Sequence, residues 1–248
     1  MNIILDYGAT IDTPGNHWGK TIWHAYERAG VPIFESQFRE AYVFAERYLG
    51  AHKVIAATDT FHTTLSVKLR LQLEYLSSQG QADLEDSELH NRLLGDLEDS
   101  DLHNRLLDDL YTMTVRNVAE SREVLMELKD RGYKLGVVSN FYGNIEAVLE
   151  EFMLRELFSV VVESATEGIR KPDPRLLGLC IERMNAIPEE TFVVGDHLTK
   201  DIQPAQNLGC KTVWIKGEPW SDEHDKLSAV TPDYTISNLS QLLGLLMR

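Results

Sequence analysis

The sequence predicts an α/β fold built on a parallel sheet, with a block of helices inserted straight after the first strand. Three observations lead there. A short apolar run, Ile3-Ile4-Leu5, opens the chain and stops abruptly at Asp6, the pattern of a strand buried on both faces. From about His17 to Leu110 the apolar residues recur at helical spacing only. From Val118 onward short strands alternate with helices, which means βαβ units.

Taken in order, Tyr7-Gly8-Ala9-Thr10 forms a small-residue loop at the carboxyl end of the first strand, where open α/β sheets bind ligands. Ile22, Ala25 and Ala29 mark a helix that stops at Gly30-Val31-Pro32. Phe38, Ala41, Tyr42, Ala45 and Leu49 mark a second, ending near Gly50, and Leu65, Leu69, Leu73 and Leu76 a third. Val118, Val124, Leu125 and Leu128 begin the alternating part with a helix that ends at Gly132. Strands are expected over 134–138, 160–162, 191–194, 211–215 and 234–236, and helices over 144–158, 174–184, 200–208 and 239–246.

A tandem repeat lies within the helical block. DLEDSELHNRLL at 83–94 returns as DLEDSDLHNRLL at 96–107. Its period of 13 turns the second copy by about 220° on a continuous helix, so a break is expected near Gly95. Residues 83–108 carry nine acidic residues and two arginines, a net charge of −7. His90 and His103 recur within it as candidates for a metal or partner site, but a recent duplication forming a solvated acidic helix explains them as well.

Composition narrows the function. The 248 residues hold 43% hydrophobic residues, enough to bury a real core. With 24 Lys and Arg against 39 Asp and Glu, the net charge of −15 argues against nucleic acid as a partner. It leaves room for a small anionic substrate, which needs only a few local donors. Cys180 and Cys210 form no CxxC or Cys/His cluster and read as reduced thiols. Neither a signal peptide nor a membrane span is expected, so a cytoplasmic location is. Oligomeric state is not encoded in any pattern.

Four strand ends carry polar residues: Asp6; Ser139-Asn140; Lys171 in Gly168-Ile169-Arg170-Lys171-Pro172-Asp173-Pro174; and Asp196 with Asp201. A parallel sheet gathers its carboxyl ends on one edge, so all four can converge. Carboxylates suit Mg²⁺, a hard ion with oxygen ligands. A lysine, a hydroxyl and backbone N–H groups suit phosphoryl oxygens, and a spare carboxylate suits nucleophilic attack.

These segments, LDYGATID, LGVVSN, GIRKPDP and VVGDHLTKD, resemble in order and spacing the four motifs of the haloacid dehalogenase-like (HAD) hydrolase superfamily. Leu128-Lys129-Asp130-Arg131-Gly132 before the second and Ala205 to Gly209 after the fourth match as well. The resemblance implies a Rossmann-like parallel sheet with an all-helical C1 cap: core at 1–13 and 115–248, cap at 14–114. It implies Asp6 as nucleophile and Mg²⁺ ligand, Thr10 orienting the loop, and Ser139 and Lys171 binding the phosphoryl group. Asn140 would line the site. Asp196 would hold the metal, Asp201 would support the ion or hold Lys171, and Gly8 would offer its carbonyl to Mg²⁺. The implied activity is a Mg²⁺-dependent phosphatase acting on a small phosphorylated metabolite through an aspartyl phosphate.

One departure matters. The family's second Asp, its general acid and base, is Gly8 here. Such help is typically worth about 10²–10⁴ in rate. Three readings stay open. In the first, the acid comes from elsewhere, with Asp12, His17, His24 and His62 as candidates. The second is a dehalogenase or phosphonatase, whose second position is not Asp either. Tyr7-Gly8 echoes the dehalogenase Tyr-Gly one residue out of register, and a phosphonatase would need a Schiff-base lysine such as Lys20, Lys53 or Lys68. The third is a phosphate-binding or regulatory protein without turnover. Trp18, Trp23, Tyr26 and Phe61 suit either a ligand or the core, and Gly217-Glu218-Pro219-Trp220 either the rim of the site or a turn.

Overall fold

The computed structural model describes residues 1–78, 101–220 and 230–246; the first repeat copy, His90 and the expected break near Gly95 lie outside them. Among the described residues, six parallel strands form one sheet: β1 (Asn2–Leu5), β2 (Lys134–Ser139), β3 (Val160–Glu163), β4 (Thr191–Gly195), β5 (Lys211–Ile215) and β6 (Tyr234–Ile236). Their order is β3-β2-β1-β4-β5-β6. β1 is central because it is apolar on both faces. Ile3 and Leu5 enter one core cluster and Ile4 the other, where it meets Val138, Val162 and Val193.

Register brings the strand ends level. Leu5 lies opposite Val137 on one side and Val194 on the other, so Asp6, Ser139 and Asp196 emerge along one edge. The chain moves outward from β1 through β2 to β3, then returns to β4 on the other side of β1. That reversal opens a crevice at the ends of β1 and β4, the topological switch point.

Helices α1 (Trp18–Arg28), α2 (Glu35–Ala51) and α3 (Phe61–Ser77) follow β1 as expected. Helix α4 (Asp101–Asp130) runs unbroken for 30 residues, so the expected boundary at 114/115 falls within one helix. Its first half buries Leu106, Leu107 and Leu110, and its second half Val118, Val124, Leu125 and Leu128. A single rigid rod thus carries the helical insertion on the sheet. His103 is buried on it and donates from Nε2 to the Ser66 carbonyl of α3 at 3.1 Å. It serves a helix–helix contact.

Three helices differ from expectation. The helix over 144–158 is only α5 (Ile145–Glu151), because the chain then turns through Met153 at φ 55°. That turn brings Leu154 and Phe158 back into the core. A short helix, α6 (Ser164–Glu167), precedes α7 (Pro174–Arg183). The helix over 200–208 begins as a wide π turn at Leu198–Ile202 and tightens only in α8 (Gln203–Asn207). Pro204 has no N–H to give Lys200 and so cannot extend a regular α-helix backward. The closing helix, α9 (Gln241–Leu245), is shorter than its periodic stretch.

The connection after β5 straps the helical insertion to the sheet. His17 N–H donates to the Glu218 carbonyl at 2.9 Å, and Glu218 N–H to Asn16 Oδ1 at 2.8 Å. Trp220 packs on Tyr42 and on the Arg39 guanidinium, 4.2 Å from the ring centroid. The two backbones meet where neither residue has a side chain: a Cβ on Gly217 would lie 2.3 Å from the carbonyl carbon of Gly15. Gly217→Ala is therefore expected to force the loops apart and cost about 1–3 kcal/mol of stability, measured by chemical denaturation.

Candidate active site

Asp6 starts the site. Its N–H donates to the Val194 carbonyl at 2.9 Å, which ties the loop after β1 to β4, and its Oδ1 accepts the Tyr7 N–H at 2.7 Å. Lys171 comes from the loop between α6 and α7, its side chain only 7% exposed. Its Nζ donates to Asp6 Oδ1 at 2.9 Å, Asp201 Oδ1 at 2.6 Å and the Val138 carbonyl at 3.2 Å. Asn140 secures that loop from β2: its Oδ1 accepts the Lys171 N–H at 2.9 Å and its Nδ2 donates to the Lys171 carbonyl at 3.0 Å.

Asp201 is held just as closely. Its Oδ2 accepts the His197 N–H at 3.1 Å, and its Cβ sits where Gly195 would carry one, 2.4 Å from that position. The glycine at the end of β4 is thus required by the approach of Asp201. Asp196 lies between them in sequence, its carbonyl accepting the Trp214 indole N–H at 2.8 Å. Ligand oxygens of Asp6, Asp196 and Asp201 lie within 4.8 Å of one another.

The electrostatics are unbalanced. Three carboxylates share one ammonium in a buried place. Burial pushes Asp6 up to about 6 even though Lys171 pulls it down. Burial and the Asp201 and Asp6 charges drive Asp196 well above the carboxylate range. Burial alone would lower Lys171, but the carboxylates of Asp201 and Asp6 outweigh it and raise it. Oxygen donors this close, with excess negative charge, fit a hard divalent cation.

A cavity of about 180 Å³ opens over this cluster. Asp6, Gly8, Ser139, Asn140, Lys171, Asp196 and Asp201 all line it. Thr10 does not; among the described residues its buried hydroxyl has no hydrogen-bond partner, and it lines another cavity with Thr13 and Asn117. The helical insertion supplies the opposite wall. Glu46 of α2 and Lys68 of α3 pair there at 2.7 Å, and the Tyr142 hydroxyl donates to Glu46 at 2.8 Å. Glu46, Tyr42 and Tyr142 carry no motif and were invisible in the sequence. The packing of α2 against α3 and against the loop after β2 reveals them. Trp18 and Phe61 also line the cavity, whereas Tyr26 is buried in the core and Trp23 packs against it.

Of the four alternative acids, His24 is held at the surface between Glu27 and Glu218, and His62 is exposed with its ring edge on Tyr111. His17 lines the cavity, but burial and the Lys200 charge lower it to about 3, so it is neutral. Asp12 also lines the cavity and is 1% exposed. Its Oδ2 accepts the Trp18 indole N–H at 2.8 Å and its Oδ1 the Ala9 N–H at 2.7 Å. The second bond holds Ala9 at φ 58°, a left-handed conformation that costs an alanine about 1–2 kcal/mol.

Burial raises Asp12 from 3.8 to about 7 despite those hydrogen bonds. Between those values the native carboxyl keeps a proton that the unfolded chain has released. Stability therefore falls as pH rises through that window, by up to about 1.4 kcal/mol per pH unit. Asp12→Asn, unfolded with urea in EDTA, is expected to show a shallower decline than wild type from pH 4 to 7. Identical slopes would assign the raised value elsewhere.

Comparison with known proteins agrees with this geometry. The haloacid dehalogenase-like hydrolase family matches residues 54–215, a span that holds Ser139, Lys171, Asp196 and Asp201 and leaves out Asp6 and Gly8. The glyceraldehyde 3-phosphate phosphatase of Pyrococcus furiosus is 37% identical over 54% of this chain and 56% of its own. The pyrophosphatase PpaX of Bacillus mycoides is 38% identical over 51% of this chain and 58% of its own. The chain thus spans little more than half the length of the curated relatives it matches. In structure, the HAD phosphatase of Thermococcus onnurineus superposes with a TM-score of 0.53 at 22% identity, over 99% of this chain and 97% of that one. Such a likeness shares the parallel sheet and its helical layers. With four strand ends meeting at one crevice and the family matched over most of the chain, the protein belongs to the haloacid dehalogenase-like hydrolases.

Proposed function

We propose that the chain is a Mg²⁺-dependent phosphohydrolase that acts on a small phosphorylated metabolite through Asp6. The observation that carries this reading is the meeting of three carboxylates within 4.8 Å around a single buried lysine. The names of the two curated relatives, both phosphatases, support it. The size of the cavity supports a small substrate, since about 180 Å³ falls below the range usual for drug-sized ligands.

In this reading Asp6, Asp196 and Asp201 hold Mg²⁺ with the Gly8 carbonyl, and the ion supplies charge neutralisation for a phosphoryl group. Lys171 and the Ser139 hydroxyl bind the phosphoryl oxygens, and Asn140 keeps Lys171 in place. Asp6 attacks phosphorus, which forms an aspartyl phosphate and releases the alcohol; water then returns Asp6 to its carboxylate.

The phosphonatase reading is less well supported. A Schiff base needs a neutral amine, and of Lys20, Lys53 and Lys68 only Lys68 lines the cavity. There the Glu46 carboxylate outweighs burial and keeps Lys68 protonated. The resemblance gives metal-independent dehalogenases no need for the acidic cluster. A binding protein without turnover is favoured by Gly8 alone.

Wild type is expected to release phosphate repeatedly from acetyl phosphate with Mg²⁺, and Asp6→Asn to lose that release completely. Release that survives Asp6→Asn, or is missing from wild type, would overturn the proposal.

A further inference from the structure

The loop after β1 carries two carboxyl groups, and the proposed chemistry has used only one. Asp6 faces phosphorus. Asp12 lies at the other end of the same loop, is 1% exposed, and lines the same cavity. A buried acid that lines the cavity over the carboxylate cluster needs an explanation, since burying a carboxyl is costly unless something is gained.

Its position relative to Gly8 supplies one. Gly8 leaves a gap: a Cβ built on it meets no atom within 4 Å. Asp12 Oδ1 accepts the N–H of Ala9, the residue that follows Gly8, at 2.7 Å, so its carboxyl is tied to the same turn of the loop. The second oxygen is aimed by the Trp18 indole, itself part of the cavity wall. Both oxygens are therefore held from one side each, which fixes the plane of the carboxyl and leaves further lone-pair directions on each oxygen for a proton. His17, the other acid candidate on the cavity wall, accepts the Gly19 N–H at Nδ1 and is held neutral by burial.

The geometry points to Asp12 as the general acid and base that Gly8 cannot be. This rests on the phosphohydrolase reading and deepens it. In the first step an Asp6 oxygen bonds to phosphorus while the bond from phosphorus to the leaving oxygen breaks. The electron pair stays on that oxygen, which takes the proton from Asp12 and departs as an alcohol. In the second step a water oxygen bonds to phosphorus and gives its proton to the Asp12 carboxylate. The bond from Asp6 to phosphorus breaks, its electrons return to Asp6, and inorganic phosphate leaves with Asp12 again protonated. Burial supports this use, because it raises Asp12 to about 7, where one group both gives and takes a proton near neutral pH. The loop has shifted its acid from the second residue after the nucleophile to the sixth, and the left-handed Ala9 is the bend that folds it back.

The test varies only the leaving group. Phenyl phosphate and p-nitrophenyl phosphate have similar shapes, but nitrophenolate departs readily without a proton and phenolate does not. Their kcat/KM values report the steps up to loss of the leaving group, so hydrolysis of the phosphoenzyme does not enter. Asp12→Asn is expected to lower kcat/KM for phenyl phosphate by about 10²–10⁴-fold and for p-nitrophenyl phosphate much less. Asp12→Glu disturbs both anchors but keeps an acid. It is expected to hold the wild-type ratio of the two substrates even where both rates fall. Equal losses for both substrates in Asp12→Asn, or a ratio that drops equally in Asp12→Glu, would make Asp12 a structural support of the loop and overturn the inference. A wild type that releases phosphate from neither substrate nor from acetyl phosphate would instead remove the phosphohydrolase reading beneath it.

Discussion

The site depends on one buried ammonium surrounded by more negative charge than it can neutralise. Lys171 reaches Asp6 and Asp201 at hydrogen-bond distance, and among the described residues Asp196 stands beside them with no cation paired to it at that range. Removing one partner from a buried pair is strongly destabilising because it strands a charge. The surrounding contacts follow from keeping this arrangement in place. Asn140 clamps the Lys171 backbone on both sides, Gly195 makes room for Asp201, and Val194 ties down Asp6. The charge left over is the reason a divalent cation belongs in the account.

The fold provides the meeting place. Parallel strands end on one edge, and the reversal between the β1–β2–β3 half and the β4–β5–β6 half opens a crevice there. The helical insertion closes that crevice from above. Its contribution is chemical as well as steric, since Glu46, Lys68 and Tyr142 form a half-buried hydrogen-bonded group that lines the same cavity as Lys171. The Glu46–Lys68 pair balances its own charge and offers the cavity both a donor and an acceptor. The strap of Gly217–Trp220 and the long α4 hold that wall to the sheet from two sides.

Much of this was legible in the sequence because it depends on local patterns. The apolar run before Asp6, the strand ends at Ser139 and Asp196, and the Gly-rich punctuation between them fix which residues share the sheet edge. The helix periods of α1 to α3 were equally plain. What depends on distant packing was not legible. Glu46 and Lys68 sit on different helices, and no spacing rule brings them to one cavity. Asn140 offered a polar residue at a strand end, but its grip on the Lys171 backbone needs the loop in place. Thr10, singled out by its spacing from Asp6, lines a second cavity with Thr13 and Asn117, a placement that depends on the folded loop. The left-handed bend at Ala9, braced by the Asp12 carboxyl, has no sign in a chain read as a line of residues.

The central claim is that the acidic cluster around Lys171 needs a divalent ion to balance it, and the melting temperature titrated with Mg²⁺ tests this most directly. A ligand that binds only the folded chain stabilises it by about 2.7 kcal/mol at a hundredfold excess over its dissociation constant. Mg²⁺ is expected to raise the melting temperature of wild type in a saturable way. In Asp196→Asn, where one carboxylate charge is removed, the metal-free protein should melt no lower than wild type and the response to Mg²⁺ should be lost. A wild type that ignores Mg²⁺, or an Asp196→Asn variant that responds to it equally, would contradict the account.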